Sequence, residues 1–412
     1  MRVLHVLNYG WPYIDGYTVR SMGLITAQRE HLDGIDPVVA VSPFEPLASA
    51  MDRDFTLDGW GPDAQLHATT HGERDLPRSW ERPSLGLAPR TTRVFRAELK
   101  SIVRRLQPDL IHAHHPHYVG QVALGVAQAF DVPAVYELRC FNGDYDLARS
   151  SSYFTARGQA QNFWERRTCR RADTVVTISS PLAERISEAG ARKKHVFIVQ
   201  NSVNTDIFSD DRGGGRGEEQ ESSLHIGYAT SFSHIENLDL IVRAAALANE
   251  RHNVDVTIAG KGKEWTRIRR LVRENGMEDV ISLPGFIPFG RMPSFYRNLD
   301  VFVVPRSSTQ VSRDTTPLKP LEALACGAPL LASNLPALRE LLGGGTDVRF
   351  FEPTPSELAS HLTQIAEEGW NPPIRPMVER RWSQEVERYR KVYATARRQH
   401  QRGARSQKGS AA

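Results

Sequence analysis

Residues 315–327 read TTPLKPLEALACG and lie between two apolar runs, at 301–305 and 329–333. Thr316 suits the cap of a helix and Pro317 suits its first position. The pattern predicts a strand–helix–strand unit in which the helix begins at the carboxyl edge of a parallel sheet. Free N–H groups at such a helix end attract an anion, for example a phosphate.

Two polar side chains in this predicted helix indicate what it binds. Lys319 falls in the first turn, where a cation has the wrong sign for the helix dipole, so we interpret it as the partner of a negatively charged ligand. Glu322, one turn later, carries acceptor-only oxygens that suit two neighbouring sugar hydroxyls. The stretch therefore predicts a helix directed at an anionic ligand.

The composition is that of an ordinary globular chain: 412 residues, 40% hydrophobic and 24% charged. This length is typical of two or three domains. The net charge of +4 depends on five cations close to the end of the chain, without which the remainder carries about −1. These cations are Arg397, Arg398, Arg402, Arg405 and Lys408. The body of the chain is thus nearly neutral and does not indicate a nucleic-acid partner.

The cysteines and the apolar runs bear on location. Cys140, Cys169 and Cys326 are widely spaced and predict neither a disulfide framework nor a metal site. No apolar run approaches the length of a membrane span, and residues 3–7 resemble a first strand more than a signal peptide. We therefore predict a cytoplasmic protein. Its basic tail is ordinarily a solvated segment, and weak peripheral attraction to the inner membrane face is the alternative.

Residues 314–327 resemble the retaining glycosyltransferases of family 4, which have the α/β GT-B fold of two facing Rossmann-like domains with a crevice between them. The family's two acidic residues, which have seven residues between them, correspond to Asp314 and Glu322, although the first is usually Glu. The sequence of this motif is similar to that of a subgroup linked to exopolysaccharide loci and the exosortase system. Residues 16–20 (GYTVR) and 135–139 (VYELR) are similar to the same subgroup, so the resemblance covers about residues 1–393.

The resemblance implies a domain order and a reaction. We expect an N-terminal acceptor domain at 1–208, a flexible linker at 209–223, a C-terminal donor domain at 224–376, a terminal helix crossing back at 377–396 and a disordered basic tail at 397–412. The implied reaction moves a sugar from a UDP- or GDP-sugar to an acceptor hydroxyl with retention. Polysaccharide, glycolipid and natural-product glycoside biosynthesis are candidate settings, and a lipid-linked acceptor is among the candidates.

The resemblance also implies three groups of site residues. Catalysis is assigned to His114, the second His of the family's His-x-His, together with Asp314 and Lys319. Donor binding is assigned to Thr316, Pro317, Leu318, Glu322, Arg306, Arg313, Gly260, Phe286 and Ile287. The acceptor side or its loop is assigned to Gly16, Tyr17, Arg20, Glu137 and Arg139. For Gly260 and for Phe286–Ile287, an ordinary turn at the sheet edge is an equal interpretation.

We expect no metal and no other cofactor, because the helix terminus already supplies positive potential at the diphosphate. His112 and His114 share one face of a strand, and two His without a third ligand make a poor metal site. The triplet Asp144-Tyr145-Asp146 matches a manganese motif of the other glycosyltransferase fold, but it is common in loops. Glu137 and Arg139 also share a face, and form either a salt bridge that closes the sheet or part of an acceptor pocket.

The chain departs from the family at two phosphate-binding positions. Tyr228 and Glu236 stand where the family places Arg and Lys, which leaves Lys319, Arg306 or Arg313 to meet the diphosphate. These departures keep two alternatives open: an epimerase or hydrolase of the same fold, and a non-catalytic nucleotide-sugar-binding partner. A dinucleotide-dependent oxidoreductase is disfavoured because no dinucleotide fingerprint follows any strand.

Overall fold

A computed structural model describes residues 1–9, 14–42, 66–68, 89–149, 151–209, 223–373 and 381–409. The chain divides into two compact units: unit 1 joins Met1–Asn201 to the segment from Trp382 onward, and unit 2 is Ser202–Arg381. The first segment of unit 1 ends at Asn201, a few residues before the predicted boundary at 208. Its second segment begins at Trp382, a few residues after the predicted boundary at 377. The predicted linker at 209–223 lies almost wholly outside the described residues.

Unit 1 is built on a parallel sheet. Its strands are β1 (Arg2–Leu7), β2 (Asp36–Val41), β3 (Leu66–Ala68), β4 (Leu110–His114), β5 (Ala134–Glu137), β6 (Thr174–Thr177) and β7 (Val196–Ile198). Over the described residues they pair in the order β3-β2-β1-β4-β5-β6-β7, every neighbouring pair parallel.

The helices of unit 1 come from both ends of the chain. They are α1 (Gly16–His31), α2 (Pro89–Leu106), α3 (His117–Ala129), α4 (Gly143–Leu147), α5 (Ser152–Arg171), α6 (Ser180–Glu188), α14 (Trp382–Glu385) and α15 (Arg388–Gly409). A short 3₁₀ turn, Lys193–His195, leads into β7. The alternation of strand and helix is what parallel pairing requires, since each crossover needs a connecting segment.

Unit 2 has the same architecture. Its strands are β8 (Leu224–Ala229), β9 (Val254–Ala259), β10 (Ile281–Gly285), β11 (Val301–Val304), β12 (Leu330–Ser333) and β13 (Val348–Phe351). Its helices are α7 (Leu238–Asn249), α8 (Trp265–Glu274), α9 (Met292–Arg297), α10 (Gln310–Asp314), α11 (Lys319–Ala325), α12 (Pro336–Leu342) and α13 (Pro355–Glu368). The described strands form a parallel sheet in the order β10-β9-β8-β11-β12-β13.

In each sheet the strand order reverses at one point, between β1 and β4 in unit 1 and between β8 and β11 in unit 2. Open α/β sheets bind ligands outside the carboxyl ends of the strands at this reversal. Strand β4 ends at His114 and is followed by residues 115–117, and strand β11 is followed by residues 305–322. The topology therefore brings the residues named from the sequence to the two expected edges.

The unit 1 sheet has one apolar and one polar face. Leu4, Ile111 and Tyr136 belong to the hydrophobic core on one side. His5 pairs in register with His112, and His114 with Glu137, on the other side. Strand residues alternate between faces, so the polar face follows directly from sequences such as Leu-Ile-His-Ala-His in β4.

Helix α11 begins later than predicted. Its first residue is Lys319 and Pro320 lies in the first turn, whereas Thr316 and Pro317 precede it. The second proline of the stretch, Pro320, explains the shift. Pro320 lacks an N–H and is tolerated only in a first turn.

The predicted disordered tail at 397–412 is wrong for most of its length, because α15 continues to Gly409. The segment lacks proline and is rich in Ala, Arg, Gln and Lys, which favour helices. Contacts to unit 1 support it: the His400 ring lies 3.0 Å from Asp131 and 3.5 Å from Asp173. High polarity therefore marked an exposed helix face and not disorder.

Candidate functional site

Glu322 lies in the middle of α11 and is 94% buried. The Tyr296 hydroxyl, from α9, donates a hydrogen bond to its Oε2 at 2.7 Å. Burial raises the pKa of Glu322, and the nearby charge of Lys319 opposes that effect. One carboxylate oxygen is thus held by the protein, while Oε1 has no hydrogen bond to the described residues.

Lys319 is half-buried at the start of α11. Its charge helps lower the pKa of Glu236 and opposes the rise of the pKa of Glu322. Within the described part of the chain, no carboxylate oxygen lies within 4.0 Å of its ammonium nitrogen. Lys319 is therefore a cation near two acids that remains available to a ligand.

Arg306 is committed to another side chain. Its Nη2 and Nε donate to the Glu236 carboxylate at 2.9 and 3.3 Å. The Tyr228 hydroxyl donates a short hydrogen bond to Oε2 of the same carboxylate. Arg306 and Glu236 are both more than nine-tenths buried. This ion pair disfavours Arg306 as the cation that meets a diphosphate, because Glu236 already neutralises its charge.

The remaining residues predicted around α11 differ in accessibility. Asp314 ends α10, is buried, and accepts a hydrogen bond from Gln310 Nε2 at 2.9 Å. Arg313 is exposed and its Nη1 donates to Ser308 Oγ at 3.4 Å. Thr316 and Leu318 are buried beside them, and Pro317 is half-buried. Of the predicted cations, Arg313 and Lys319 stay accessible.

The Gly260 turn has a structural explanation. Gly260 has φ +116°, and a Cβ added there would lie 1.8 Å from the Thr230 carbonyl oxygen. Only glycine fits, because the loop after β9 packs against the loop after β8. Phe286, just beyond β10, is 45% exposed and Ile287 is half-buried. The alternative of a sheet-edge turn explains Gly260, whereas Phe286 is accessible to a ligand.

In unit 1, the imidazoles of three histidines form a cluster on the polar face of the sheet. His5, His112 and His114 are fully buried, and their ring centroids lie 4.3 to 5.2 Å apart. His5 Nδ1 and His114 Nε2 share a hydrogen bond at 2.9 Å. Burial, assisted by the neighbouring imidazoles, lowers the pKa of His5 and His112 well below its ordinary value.

Glu137 is the hub of the same polar face. Arg20 Nε and Arg139 Nε donate to its Oε1 at 3.0 and 2.8 Å, and the Tyr389 hydroxyl donates to Oε2 at 2.7 Å. Burial alone would raise the pKa of Glu137, but the two guanidinium groups hold it well below its usual range. Of the two alternatives for this charge pair, the salt bridge is present.

His114 has protein partners on both ring nitrogens. Its Nε2 bonds His5, and Arg139 Nη2 donates to its Nδ1 at 2.9 Å. Burial also lowers its pKa. A direct contact between His114 and a donor sugar therefore finds no support in these contacts. In this arrangement, His114 orients Arg139.

Tyr17 and Gly16 lie where that network reaches the surface. The Arg139 guanidinium stands 4.3 Å from the Tyr17 ring centroid, and Arg139 Nη1 donates to the Tyr17 carbonyl at 2.6 Å. Tyr17 is half-buried and Gly16 is exposed. A Cβ added at Gly16 would meet nothing within 4 Å. Packing within unit 1 therefore does not require glycine at this position.

Two groups of residues have the composition of a metal site. His5, which was not among the residues predicted from the sequence, completes a set of three imidazoles with ligand atoms within 4.8 Å of one another. Its position in β1, on the same face as His112, is the signal that could have revealed it. A cation fits poorly there, because the Arg139 guanidinium already donates to His114 and the Arg20 guanidinium is buried beside Glu137.

The Asp-x-Asp triplet is occupied by protein partners. Arg185 Nη1 donates to Asp144 at 2.7 Å, and Asn162 Nδ2 donates to the same side chain at 2.7 Å. Arg157 Nε donates to Asp146 at 2.7 Å. Both aspartates are buried. The triplet lies in helix α4 and not in the expected loop, and its contacts favour a structural role for both aspartates over a manganese site.

Among the helices that the structure describes, none combines the length and the apolar character needed to cross a bilayer.

Comparison with solved structures identifies the fold. Sucrose-phosphate synthase from Thermosynechococcus elongatus superposes with a TM-score of 0.66 at 18% identity, over 100% of both chains. Anabaena HepE in complex with UDP superposes with a TM-score of 0.63 at 16% identity, over 99% of this chain and 100% of the other. The fold is therefore GT-B, and the predicted α/β fold class is confirmed.

Family models identify the two parts of the chain. The model of Glycosyltransferase Family 4 matches residues 55–207, and the model of Glycosyl transferases group 1 matches residues 216–383. The chain thus carries a family 4 domain followed by a group 1 domain. It is an enzyme, a glycosyltransferase of the hexosyltransferase type, as predicted.

Curated relatives are distant. D-inositol 3-phosphate glycosyltransferase of Paenarthrobacter aurescens is 25% identical over 316 residues, covering 74% of this chain and 75% of the relative. The 2-deoxystreptamine N-acetyl-D-glucosaminyltransferase of Streptomyces fradiae is 25% identical over 258 residues, covering 59% of each. With several such relatives the match spans about three fifths of their length.

Proposed function

We propose that this glycosyltransferase moves a hexosyl group from a nucleoside-diphosphate sugar to an acceptor hydroxyl, with retention of configuration. The observation that carries the proposal is the pair on α11. Glu322 is buried, with one oxygen held by Tyr296, and Lys319 stands one turn away without a carboxylate partner among the described residues. A carboxylate acceptor beside an uncommitted cation suits a ribose hydroxyl pair beside a diphosphate.

Neighbouring structures support a nucleotide-sugar donor. Anabaena HepE is described in complexes with UDP, with UDP and glucose, and with UDP-glucose. UDP-sugars are therefore the first donors to test, and GDP-sugars are the second.

The acceptor is suggested by the curated relatives, whose names point to small polyhydroxylated acceptors. The similarity of residues 16–20 and 135–139 to the exopolysaccharide subgroup adds lipid-linked saccharides to the acceptors to be tested.

The role of the protein is electrostatic. In the transfer, the bond between the anomeric carbon and the diphosphate oxygen breaks, the acceptor oxygen bonds on the same face of the sugar, and the proton of the acceptor hydroxyl passes to the departing diphosphate oxygen. Negative charge grows on the departing diphosphate while positive charge grows on the sugar ring. Lys319 stabilises the departing diphosphate, which is where preorganised charge lowers the barrier most. Asp314 is assigned to the sugar, and no metal is required in this proposal.

A donor screen tests the proposal directly. Thermal shift with UDP, GDP and ADP identifies the base, and the matching sugars are then incubated with candidate acceptors for product analysis by NMR. We expect a nucleoside diphosphate to raise the melting temperature of the wild type more than that of Glu322→Gln at the same ligand concentration. Glu278→Gln, which changes an exposed carboxyl in unit 2, is the matched control and should respond like the wild type.

The product separates the alternatives. A glycoside with the anomeric configuration of the donor supports retaining transfer, and the inverted anomer contradicts it. Free sugar that forms equally well without acceptor would favour a hydrolase, and an epimerised nucleotide sugar would favour an epimerase.

A further inference from the structure

A groove of about 630 Å³ lies along the edge of unit 1, between β7 and α15. Strand β7 is the last strand in the described order of this sheet. The cations that line the groove are Lys193, Lys194, Arg388, Lys391, Arg398 and Arg402. The described residues that line it include no carboxylate. We call this feature the basic groove.

The cations on α15 form a continuous stripe. Arg388, Lys391, Arg398 and Arg402 recur at spacings of three, seven and four residues, which places them on one face of a helix. At 1.5 Å per residue the stripe is roughly 21 Å long. All four residues are exposed, as are Lys193 and Lys194 across the groove. The stripe is therefore much longer than one phosphate or diphosphate group.

The neighbouring groups show that the charge in the basic groove is largely unneutralised. Burial and the charges of Lys194, Arg192 and Arg402 lower the pKa of His195, which also lines the groove. Its buried Nε2 has no hydrogen-bond partner among the described residues. Arg388 is partly neutralised, because its Nε lies 3.1 Å from the carboxylate of Glu385. The remaining cations attract a ligand with several negative charges.

We propose that the basic groove docks the enzyme on the anionic phospholipid headgroups of a bilayer surface. An extended array of charge suits an extended array of headgroups, and each cation close to such a surface adds to the attraction. Half-buried apolar side chains of β7, Val196, Phe197 and Ile198, back the cations. The lining offers few polar groups of fixed geometry besides Thr395 and Gln399, so it recognises charge density in preference to one peptide sequence.

Vesicle sedimentation tests the docking. We expect the full chain to bind vesicles containing phosphatidylglycerol, to bind neutral phosphatidylcholine vesicles weakly, and to lose affinity when salt is raised to about 0.15 M. Lys391→Gln/Arg398→Gln should weaken binding about 30-fold, equivalent to about 2 kcal/mol at about 1.4 kcal/mol per tenfold. Lys193→Gln/Lys194→Gln, on the opposite side of the groove, should weaken binding to a similar extent. This second variant tests the proposal independently if the first variant does not fold.

A matched variant controls for net charge. Arg270→Gln/Arg273→Gln removes two cations from α8, where each already lies within 4.0 Å of a carboxylate. Binding within about threefold of the wild type supports a local site, since the net charge changes equally in both variants. An equal loss in this control overturns the proposal. Equal affinity for neutral vesicles, or binding to polyglutamate without binding to anionic vesicles, overturns it as well.

Discussion

Arg306 donates from Nη2 and Nε to the carboxylate of Glu236, at 2.9 and 3.3 Å, within the interior of unit 2. The resemblance to family 4 places a lysine at position 236, so an acid stands where a phosphate-binding cation is expected. Arg306, one of the cations expected to replace that lysine, is already ion-paired with Glu236. We therefore expect Lys319 to meet the diphosphate, with the exposed Arg313 as the competing assignment.

We expect Arg306→Met to destabilise unit 2 by roughly 3–5 kcal/mol, because it leaves the charge of Glu236 buried without a partner. The double variant Glu236→Leu/Arg306→Met should recover most of that loss, since no buried charge remains. Urea unfolding of the two single variants and the double variant measures this coupling. A stable Arg306→Met protein that no longer binds nucleoside diphosphate would show instead that Arg306 holds the ligand.

Lys319→Ala should slow turnover about a hundredfold, because losing a contact to the leaving group costs roughly 3 kcal/mol in the barrier. Its stability should change by less than about 1 kcal/mol: the helix dipole favours removal, while lost attraction to Glu322 and Glu236 opposes it. Turnover and melting temperature are measured together. Lys100→Ala, in α2 of unit 1, is the control, and Arg313→Ala is the competing assignment. Near-normal turnover in Lys319→Ala with collapse in Arg313→Ala would move the phosphate site to α10.

Glu322→Gln should weaken binding of the nucleoside diphosphate about tenfold or more, since a hydrogen bond to a charged group contributes about 1.5–3 kcal/mol. The amide keeps an oxygen that can accept from Tyr296, so the helix should be retained. Calorimetry with the nucleoside diphosphate alone measures the effect. Unchanged affinity in a folded variant would remove Glu322 from the donor site.

The same variant gives a pH test of the buried carboxyl. Burial raises the pKa of Glu322 in the folded protein, so the unfolded chain releases this proton first as the pH rises. The wild type should therefore lose stability relative to Glu322→Gln from about pH 4.5 upward, until the folded carboxyl is also ionised. Unfolding both proteins at several pH values checks the sign. A growing advantage of the wild type would mean that its carboxylate is stabilised and not penalised.

The histidine cluster should make unit 1 sensitive to mild acid. Its three imidazoles have a pKa below the ordinary value of 6.5 when folded, so the unfolded chain takes up protons first as the pH falls. Each histidine should cost up to about 1.4 kcal/mol per pH unit below 6.5, until its folded pKa is reached. The depressed pKa of Glu137 acts only at much lower pH.

His112→Asn should reduce that acid sensitivity, and His31→Asn, which changes an exposed ring, should not. Urea unfolding at pH 7.5, 6.5 and 5.5 compares the three proteins, with about 1 kcal/mol as the smallest meaningful difference. Parallel profiles for the wild type and His112→Asn would mean that the cluster is already protonated when folded.

Activity should survive chelation. Arg185 and Arg157 occupy the carboxylates of Asp144 and Asp146, and Lys319 supplies charge to the leaving group in the proposed mechanism. Turnover is assayed in EDTA with and without added Mn²⁺. Strict dependence on Mn²⁺ would contradict the mechanism and would direct attention to both the Asp-x-Asp triplet and the histidine cluster.

Local sequence determined a large part of this protein. The apolar runs at 301–305 and 329–333, on either side of residues 315–327, predicted a strand–helix–strand unit of a parallel sheet because strands and helices follow short-range sequence patterns, and the family resemblance implied the two-domain α/β fold. The spacing of Lys319 and Glu322 placed both on one helix near its start, although the helix begins two residues later than predicted. The sequence of the basic tail also contains residues that favour a helix, but the high polarity of the tail favoured the prediction of disorder.

Long-range pairing was decided only by the tertiary structure. The parallel order of β1, β4 and β5 brings His5, His112 and Glu137 onto one face, and α15 adds Tyr389 and Tyr393 from more than 250 residues away. Glu236 and Arg306, 70 residues apart, meet only when β8 and β11 pair side by side. Local periodicity sets the face on which a side chain lies. Only the order of the strands determines which side chains lie together on that face. The partners that shift a pKa or neutralise a charge are therefore decided by the tertiary structure.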